Sequence, residues 1–445
     1  MTQSRTGFLH WAFAAILGLV ALQVLLSGRD LSQMFTQLEQ GITVVRHPAI
    51  DWAQRLVSLL LLLIAAERIT NHLMARKQLP SPLLALVFMA YWLATVAMPA
   101  VFGSHPRIAH EFLYTLAIGL AAVLAGPLEF DKVMATTRNA LFAFLLAGFA
   151  LVFVNPSMVL DSSYTQGLLP GVPRFGGLAP HPVALGMFAQ TALLCLWCKP
   201  FNSRWLTALG WLVGGAALFL AQSKNAWIAF FICSLCMLAV RHASSLWQRI
   251  GDPRQGGSLG VVACLSLIAI VLALMGVLLL GDVKEQVTGF LDSDEGAQLM
   301  TLTGRDRIWE VAIEEWQNNP LFGYGPDLWN PDFRASIGMP NATNAHNQFM
   351  DTLARSGTIG ATALVLYAGV LLFMSLRYAR ATGGFSIALF LALALRSISE
   401  VPLLLFGYGA ELFGHLLLIV TLASAAARTQ AVPAARAHSF YRVAS

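Results

Sequence analysis

Charge is scarce in this sequence. Lys and Arg number 28 and Asp and Glu 23 in 445 residues, so 11% of positions are charged, against roughly 25% in soluble domains. With 57% hydrophobic residues and a mean hydropathy of +0.66, this shortage excludes a soluble fold; most of the chain must be dissolved in lipid. Cysteine is scarce too, at five residues. Cys195-x-x-Cys198 and Cys233-x-x-Cys236 mimic zinc half-sites, but both pairs, like Cys264, lie inside apolar runs and read as small buried hydrophobes. The histidines are scattered and the carboxylates lack ligand spacing, so neither a metal nor another cofactor is expected. No basic patch interleaves with aromatics, so the pI of about 9.1 does not point to nucleic acid. No small-x-small cleavage site follows the run Gly7 to Ser27, which therefore reads as an uncleaved first span.

What the chain has in abundance is apolar runs of span length. About 20 residues cross the roughly 30 Å hydrocarbon layer, and twelve candidates follow: 8–27, 50–66, 82–102, 112–127, 139–155, 182–198, 205–222, 225–240, 258–280, 357–376, 384–399 and 404–424. The expectation is an all-α polytopic membrane protein. With the N-terminus in the cytoplasm, 16 Lys and Arg fall on the inner side and 7 in the short outer loops and span ends, as the positive-inside bias requires. Residues 1–280 then hold nine spans, with an outer Gly/Pro-rich loop over 156–182. Residues 281–356 form a large outer loop, 357–424 hold three more spans, and 425–445 form a basic cytoplasmic tail.

The large outer loop holds 12 of the 23 acidic residues, and a connection this long needs structure or function of its own. Within it, Ile308, Trp309, Ala312, Ile313 and Trp316 recur at helical spacing opposite Glu310, Glu314 and Glu315. The pattern predicts an amphipathic helix over 305–318 that Pro320 terminates. It is expected to lie along the membrane surface or on the spans, anchored by its two tryptophans. Gly323 to Asp327 reads as a turn. A second helix is expected to begin after Asn344, carry His346 in its first turn and stop near Gly357.

His346, followed by Asn347, is the candidate base. A lone histidine is more often structural. Here three features favour catalysis: the long outer loop, the nearby membrane surface, and a helix start whose free N–H groups suit an anion. Four cations share that face, namely Arg305 and Arg307 at the helix start, Arg174 in the Gly-rich loop and Lys224 between two spans. Each alone fits a surface charge or interfacial snorkel, and for Arg307 that reading is favoured. Together they suit a diphosphate. Arg396 and Glu400 are an i, i+4 pair and Glu411 lies in the last span; a structural ion pair explains the first two equally well.

At these residues the sequence resembles the lipopolysaccharide O-antigen ligase family, within the O-antigen ligase/polymerase superfamily. His346-Asn347, then Gly357 and Gly360, is similar to the ligase signature. Thr303-Gly304-Arg305 with Trp309, followed by Asn319-Pro320 and Gly323-Tyr324-Gly325, is similar to the superfamily's loop motif. Arg174 with Gly177, Pro180 and Pro182 resembles the earlier outer-loop motif. Ser223-Lys224 departs from the family's usual Ser-Arg, keeping the charge without the bidentate fork.

The resemblance implies a GT-C-like, metal-independent, inverting glycosyltransferase in the bacterial inner membrane, with both termini cytoplasmic and its active site on the periplasmic face. Its donor would be undecaprenyl-diphosphate-linked O-antigen and its acceptor a sugar hydroxyl of lipid A–core oligosaccharide. His346 would deprotonate the acceptor. Arg305 would neutralise the diphosphate, assisted by Arg174, Lys224 and Arg307, with Asn347, Arg396 and Glu400 in support. An O-antigen polymerase or a protein O-oligosaccharyltransferase shares this donor chemistry. A lipid or glycan transporter is the less favoured alternative: paired interrupted helices in related halves would point to it, and the sequence shows no such symmetry.

Overall fold

In the computed structural model, residues 7–33, 47–76, 78–163, 171–251, 305–340, 342–406 and 410–443 are described. They form helices α1 (Leu9–Ser27), α2 (Pro48–Met74), α3 (Pro82–Phe102), α4 (Phe112–Val123), α5 (Glu129–Val154), α6 (Pro182–Cys198), α7 (Arg204–Leu220), α8 (Lys224–Gly251), α9 (Arg305–Asn318), α10 (Pro331–Ser336), α11 (Gln348–Arg377), α12 (Phe385–Ser397) and α13 (Ala410–Val443). Two-residue strands, β1 (Leu160–Asp161) and β2 (Arg174–Phe175), pair antiparallel with Asp161 opposite Arg174.

Among the described residues, seven helices are long and apolar enough to cross a membrane: α1, α2, α3, α5, α8, α11 and α13; α4, α6, α7 and α12 are shorter apolar helices. The chain is a multi-pass membrane protein. Eleven of the twelve expected spans coincide with these helices, and the expected span 258–280 lies outside the described residues, as do 281–304 of the large loop. The membrane-length part of α13 is 83% buried, against at most 44% for any other long helix. The last helix is therefore the most enclosed of them, packed against α1, α4, α5 and α12.

Local sequence sets where helices begin. Ser81 Oγ accepts from the Leu84 amide (3.2 Å), with Pro82 in the first turn. His181 Nδ1 accepts from Val183 N (3.2 Å), followed by Pro182. A side-chain acceptor followed by a proline that needs no N–H partner is an efficient start. In α3, Pro99 has no N–H to offer Thr95 O, and the helix widens into a π turn at Leu93–Ala97. The freed Thr95 carbonyl takes the Ser356 hydroxyl at 3.0 Å.

Polar contacts sort into two sets at opposite ends of the bundle. At one end Arg68 pairs with Glu129, Lys199 and Arg428 meet Asp131, and Arg241 donates to Gly383 O. At the other, Arg29 donates to Gly177 O and Pro180 O, Asn225 to Ser399 Oγ and Asn347 to Ile398 O. This alternation is what short connections between successive spans produce.

The described part of the large loop has its own small core of Ile308, Val311, Ala312, Tyr324, Leu328, Trp329, Ala342, Ala345 and Ala354. The apolar face of α9 packs into this core and onto α11. Its tryptophans are bonded within the protein: Trp309 Nε1 donates to Ala345 O (2.9 Å), and Trp316 Nε1 donates to Pro320 O and Thr358 Oγ1. The turn after α9 wedges between α3 and α11. Ser104 N and His105 N donate to Gly323 O and Tyr324 O, while Tyr324 N and Gly325 N donate to Ala354 O and Arg355 O.

One expectation changes here. The helical path of α11 breaks at Gly357 (φ 61°, ψ −164°), near where a stop was expected, and resumes beyond it to Arg377. His346 is not in its first turn. It precedes the N-cap residue Asn347, in left-handed backbone (φ 48°), and it is Asn347 whose side chain accepts from Phe349 N and Met350 N.

Candidate active site

The His346 backbone is fixed before its ring is considered. Its N–H donates to Asn344 Oδ1 (2.7 Å), and Ala345 N donates to Asp351 Oδ1 (3.0 Å). Asp351 is fully buried and also accepts from Trp329 Nε1 and Arg355 Nε, both at 2.8 Å. Arg355 in turn reaches Pro326 O. One carboxyl group thus ties the His346 loop to the loop core and to α11, and its bond to the Arg355 guanidinium is of the charge-assisted, stronger kind.

Asn347 Oδ1 accepts from Phe349 N and Met350 N, and its Nδ2 donates to Ile398 O (3.3 Å). Gln348 Oε1 accepts from Leu403 N (2.7 Å). Asn225 Nδ2, in the first turn of α8, donates to Ser399 Oγ (2.8 Å). The segment after α12 is therefore pinned to the start of α11 and to the residue beside Lys224. It presents Glu400, whose Oε2 lies 3.6 Å from His346 Nδ1.

That nitrogen is buried without a hydrogen bond, whereas the side chain as a whole is 28% exposed. The open edge of the ring is thus the Nε2 side. Burial alone would raise the Glu400 carboxyl. His346, Arg396 and Arg305 outweigh it and hold the group below the ordinary carboxylate value.

Arg396 does not bond the Glu400 side chain, as its spacing had suggested. Only the Glu400 amide returns to Arg396 O (2.8 Å), and the guanidinium Nη2 meets Glu411 Oε1 at 3.3 Å. Its Nε and Nη1 are buried without a hydrogen-bond partner among the described residues. A buried guanidinium with open donors is costly unless an anion completes it.

The other cations divide. Arg305 faces the cluster closely enough to act on Glu400. Arg307, two residues on and about 200° around the helix, points away and pairs with Glu310 (3.3 Å), both side chains being about two-thirds exposed. Arg174 is buried and donates from Nε to Ala221 O (2.8 Å), which joins β2 to the link before α8. Lys224 is exposed at the start of α8, next to Asn225.

Two residues went unread in the sequence. Arg29 donates to Met158 O (3.0 Å), Pro180 O (2.8 Å) and Gly177 O (2.9 Å), clamping the Gly-rich loop that carries Arg174. His181 lies between Arg174 and Glu400 electrostatically. Burial, then Arg174, lowers it to about 4 against the opposing pull of Glu400 and Asp161. Its signal was the Pro180-His181-Pro182 triplet, which marks a helix cap as well as a turn.

The cluster thus offers an imidazole with one face against a carboxylate and the other open, among arginines from three segments. Such a set can take a proton from a hydroxyl and neutralise an anionic leaving group. In comparison with protein-family models, residues 208–365 match the O-antigen ligase family, a span that includes α8, Arg305, the loop core and His346. No curated protein matches the chain significantly.

Proposed function

Starting from a chain that carries the O-antigen ligase domain over residues 208–365, we propose that this protein is an O-antigen ligase of lipopolysaccharide biosynthesis. It transfers O-antigen polysaccharide from undecaprenyl diphosphate to a sugar hydroxyl of lipid A–core oligosaccharide. The scaffold is a GT-C-like bundle of about twelve spans in the bacterial inner membrane, termini in the cytoplasm and the His346 end on the periplasmic side. The observation that carries the reading is the open edge of His346 set beside Glu400, Arg305 and Arg396 at the end of the bundle that bears the large loop.

The chemistry needs three things: a membrane-embedded place for a lipid-linked donor, cations for its diphosphate, and a base for the acceptor. His346 Nε2 takes the hydroxyl proton as the acceptor oxygen bonds to the donor's anomeric carbon. The bond from that carbon to the diphosphate oxygen breaks on the opposite face, its electron pair leaving with undecaprenyl diphosphate, so configuration inverts. General base assistance of this kind contributes roughly 10²–10⁴-fold. Arg305 neutralises the departing charge, Arg396 supplies unoccupied donors, and Arg174 and Lys224 add to the local positive potential.

The test is transfer by purified protein in proteoliposomes, with candidate acceptors supplied separately. Product with lipid A–core alone is expected. Product with a second lipid-linked glycan identifies a polymerase, and product with Ser/Thr-containing protein identifies an oligosaccharyltransferase. In a null strain at equal expression, His346→Ala is expected to abolish O-antigen attachment; full ligation by the variant overturns the base assignment.

A further inference from the structure

We propose that Glu400 is a positioning residue for the glycosyl transfer, holding the His346 ring with Nδ1 turned inward and stabilising the imidazolium that forms when Nε2 takes the acceptor's proton. This rests on His346 being the general base.

The geometry supplies the argument. A buried imidazole nitrogen without a polar partner is unfavourable. The Glu400 carboxylate at 3.6 Å favours the tautomer that carries its proton on Nδ1, which leaves Nε2 as the acceptor. A base oriented by a third group in this way is a recurring solution in acid–base sites.

Both partners stand on one frame. Ile398 O, Ser399 Oγ and Leu403 N are bonded to Asn347, Asn225 and Gln348 respectively, and Glu400 N to Arg396 O. Two of those anchors, Asn347 and Gln348, directly follow His346. A carboxylate held by the helix start that holds the base cannot drift from it independently.

The charged and titratable groups acting on Glu400 come from every surrounding element: His346 before α11, Arg396 on α12, Arg305 on α9 and His181 at the cap of α6. Arg396 has its own carboxylate in Glu411, so Glu400 is not needed to neutralise it. His181 is kept uncharged by burial and Arg174. The imidazole that Glu400 serves is therefore His346. In the transfer step the acceptor's proton goes to Nε2, the Nδ1 proton stays in place, and Glu400 takes none.

The experiment measures initial rates of transfer against pH for wild type, Glu400→Gln, Glu400→Asp and His346→Gln. Glu400→Gln is expected to lower kcat about 100-fold and leave donor KM within about threefold. Without the carboxylate the imidazolium is less stable, so the acid limb of the profile moves to lower pH. Glu400→Asp keeps the charge and is expected to restore the wild-type limb with part of the rate. Wild-type kcat and limb in Glu400→Gln overturn the proposal, as does a fall in kcat with an unmoved limb that Asp does not rescue. If Glu400→Gln fails to fold, the limb of Glu400→Asp decides: a displaced limb overturns the proposal. Wild-type rates in His346→Gln would instead sink the base assignment, whatever Glu400 does.

Discussion

Replacing Gly357 by alanine tests how the large loop is held to the bundle. At Gly357 the φ of 61° with ψ of −164° belongs to a region that side chains rarely occupy, and forcing one there costs about 1–3 kcal/mol. The added Cβ would also collide with the backbone of Leu321 and Phe322. Backbone cannot swing aside as a side chain can, so overpacking adds about 1–3 kcal/mol. The collision falls on the turn whose amides bond Ala354 O and Arg355 O and whose carbonyls at Pro320 and Leu321 accept from Thr358 and Ile359, each bond worth about 1 kcal/mol net. The total, about 4 kcal/mol or more, exceeds what local adjustment absorbs, so the turn undocks while the spans stay helical. Gly369 is the internal control: it lies on the same helix with open space around it, and Gly369→Ala is expected to be neutral or stabilising by up to about 1 kcal/mol. Limited proteolysis across 319–327 and transfer activity on the two purified variants read the difference. Equal protease resistance and equal activity in both would refute the reasoning.

The spans were legible because lipid imposes a simple demand: enough apolar length. The same is true of α9, whose 3.6-residue period survives in Ile308, Ala312 and Trp316. Its surroundings were not legible, since an amphipathic face reads alike whether it meets lipid headgroups or a small protein core. Starting the second helix after Asn344 placed His346 in its first turn; Asn344 and Asn347 are equally good caps on paper, and only the bonds to Phe349 and Met350 choose between them. The site's charges were legible as a list but not as pairs. Arg396 and Glu400 stand at ion-pair spacing, yet the arginine meets Glu411 and the glutamate meets His346, because the chain leaves the helix after Ser397 and turns Glu400 toward α11. Partners 54 and 15 residues apart in sequence carry no local signature. Arg29 is the extreme case: an unremarkable charge after the first span turns out to bind three carbonyls about 130–150 residues away.

Further outcomes follow from these placements. Asp351→Asn leaves Arg355 buried without its carboxylate, a loss of about 3–5 kcal/mol; a lower unfolding temperature together with at least tenfold slower transfer is expected, and retention of both would refute the role. Arg29→Lys keeps the charge but not the three-way fork, so proteolysis within 156–182 should quicken while cleavage across 319–327 stays at the wild-type rate. Arg305→Ala should reduce transfer severely and Arg307→Ala should stay within about 0.5 kcal/mol of wild type in stability with normal activity; the reverse order would contradict the helix facing. The last expectation concerns pH and His181. Its folded value is lowered from 6.5 to about 4, by burial first and Arg174 second. Between those two values the unfolded chain binds a proton that the folded chain refuses, so stability is lost as pH falls from 6.5 toward 4. His181→Asn keeps a good helix cap but removes the titrating ring, and should flatten the unfolding temperature across that window while leaving it unchanged at pH 7.5. Parallel curves for wild type and variant would show that the proton goes elsewhere, and that His181 is not held neutral beside Arg174.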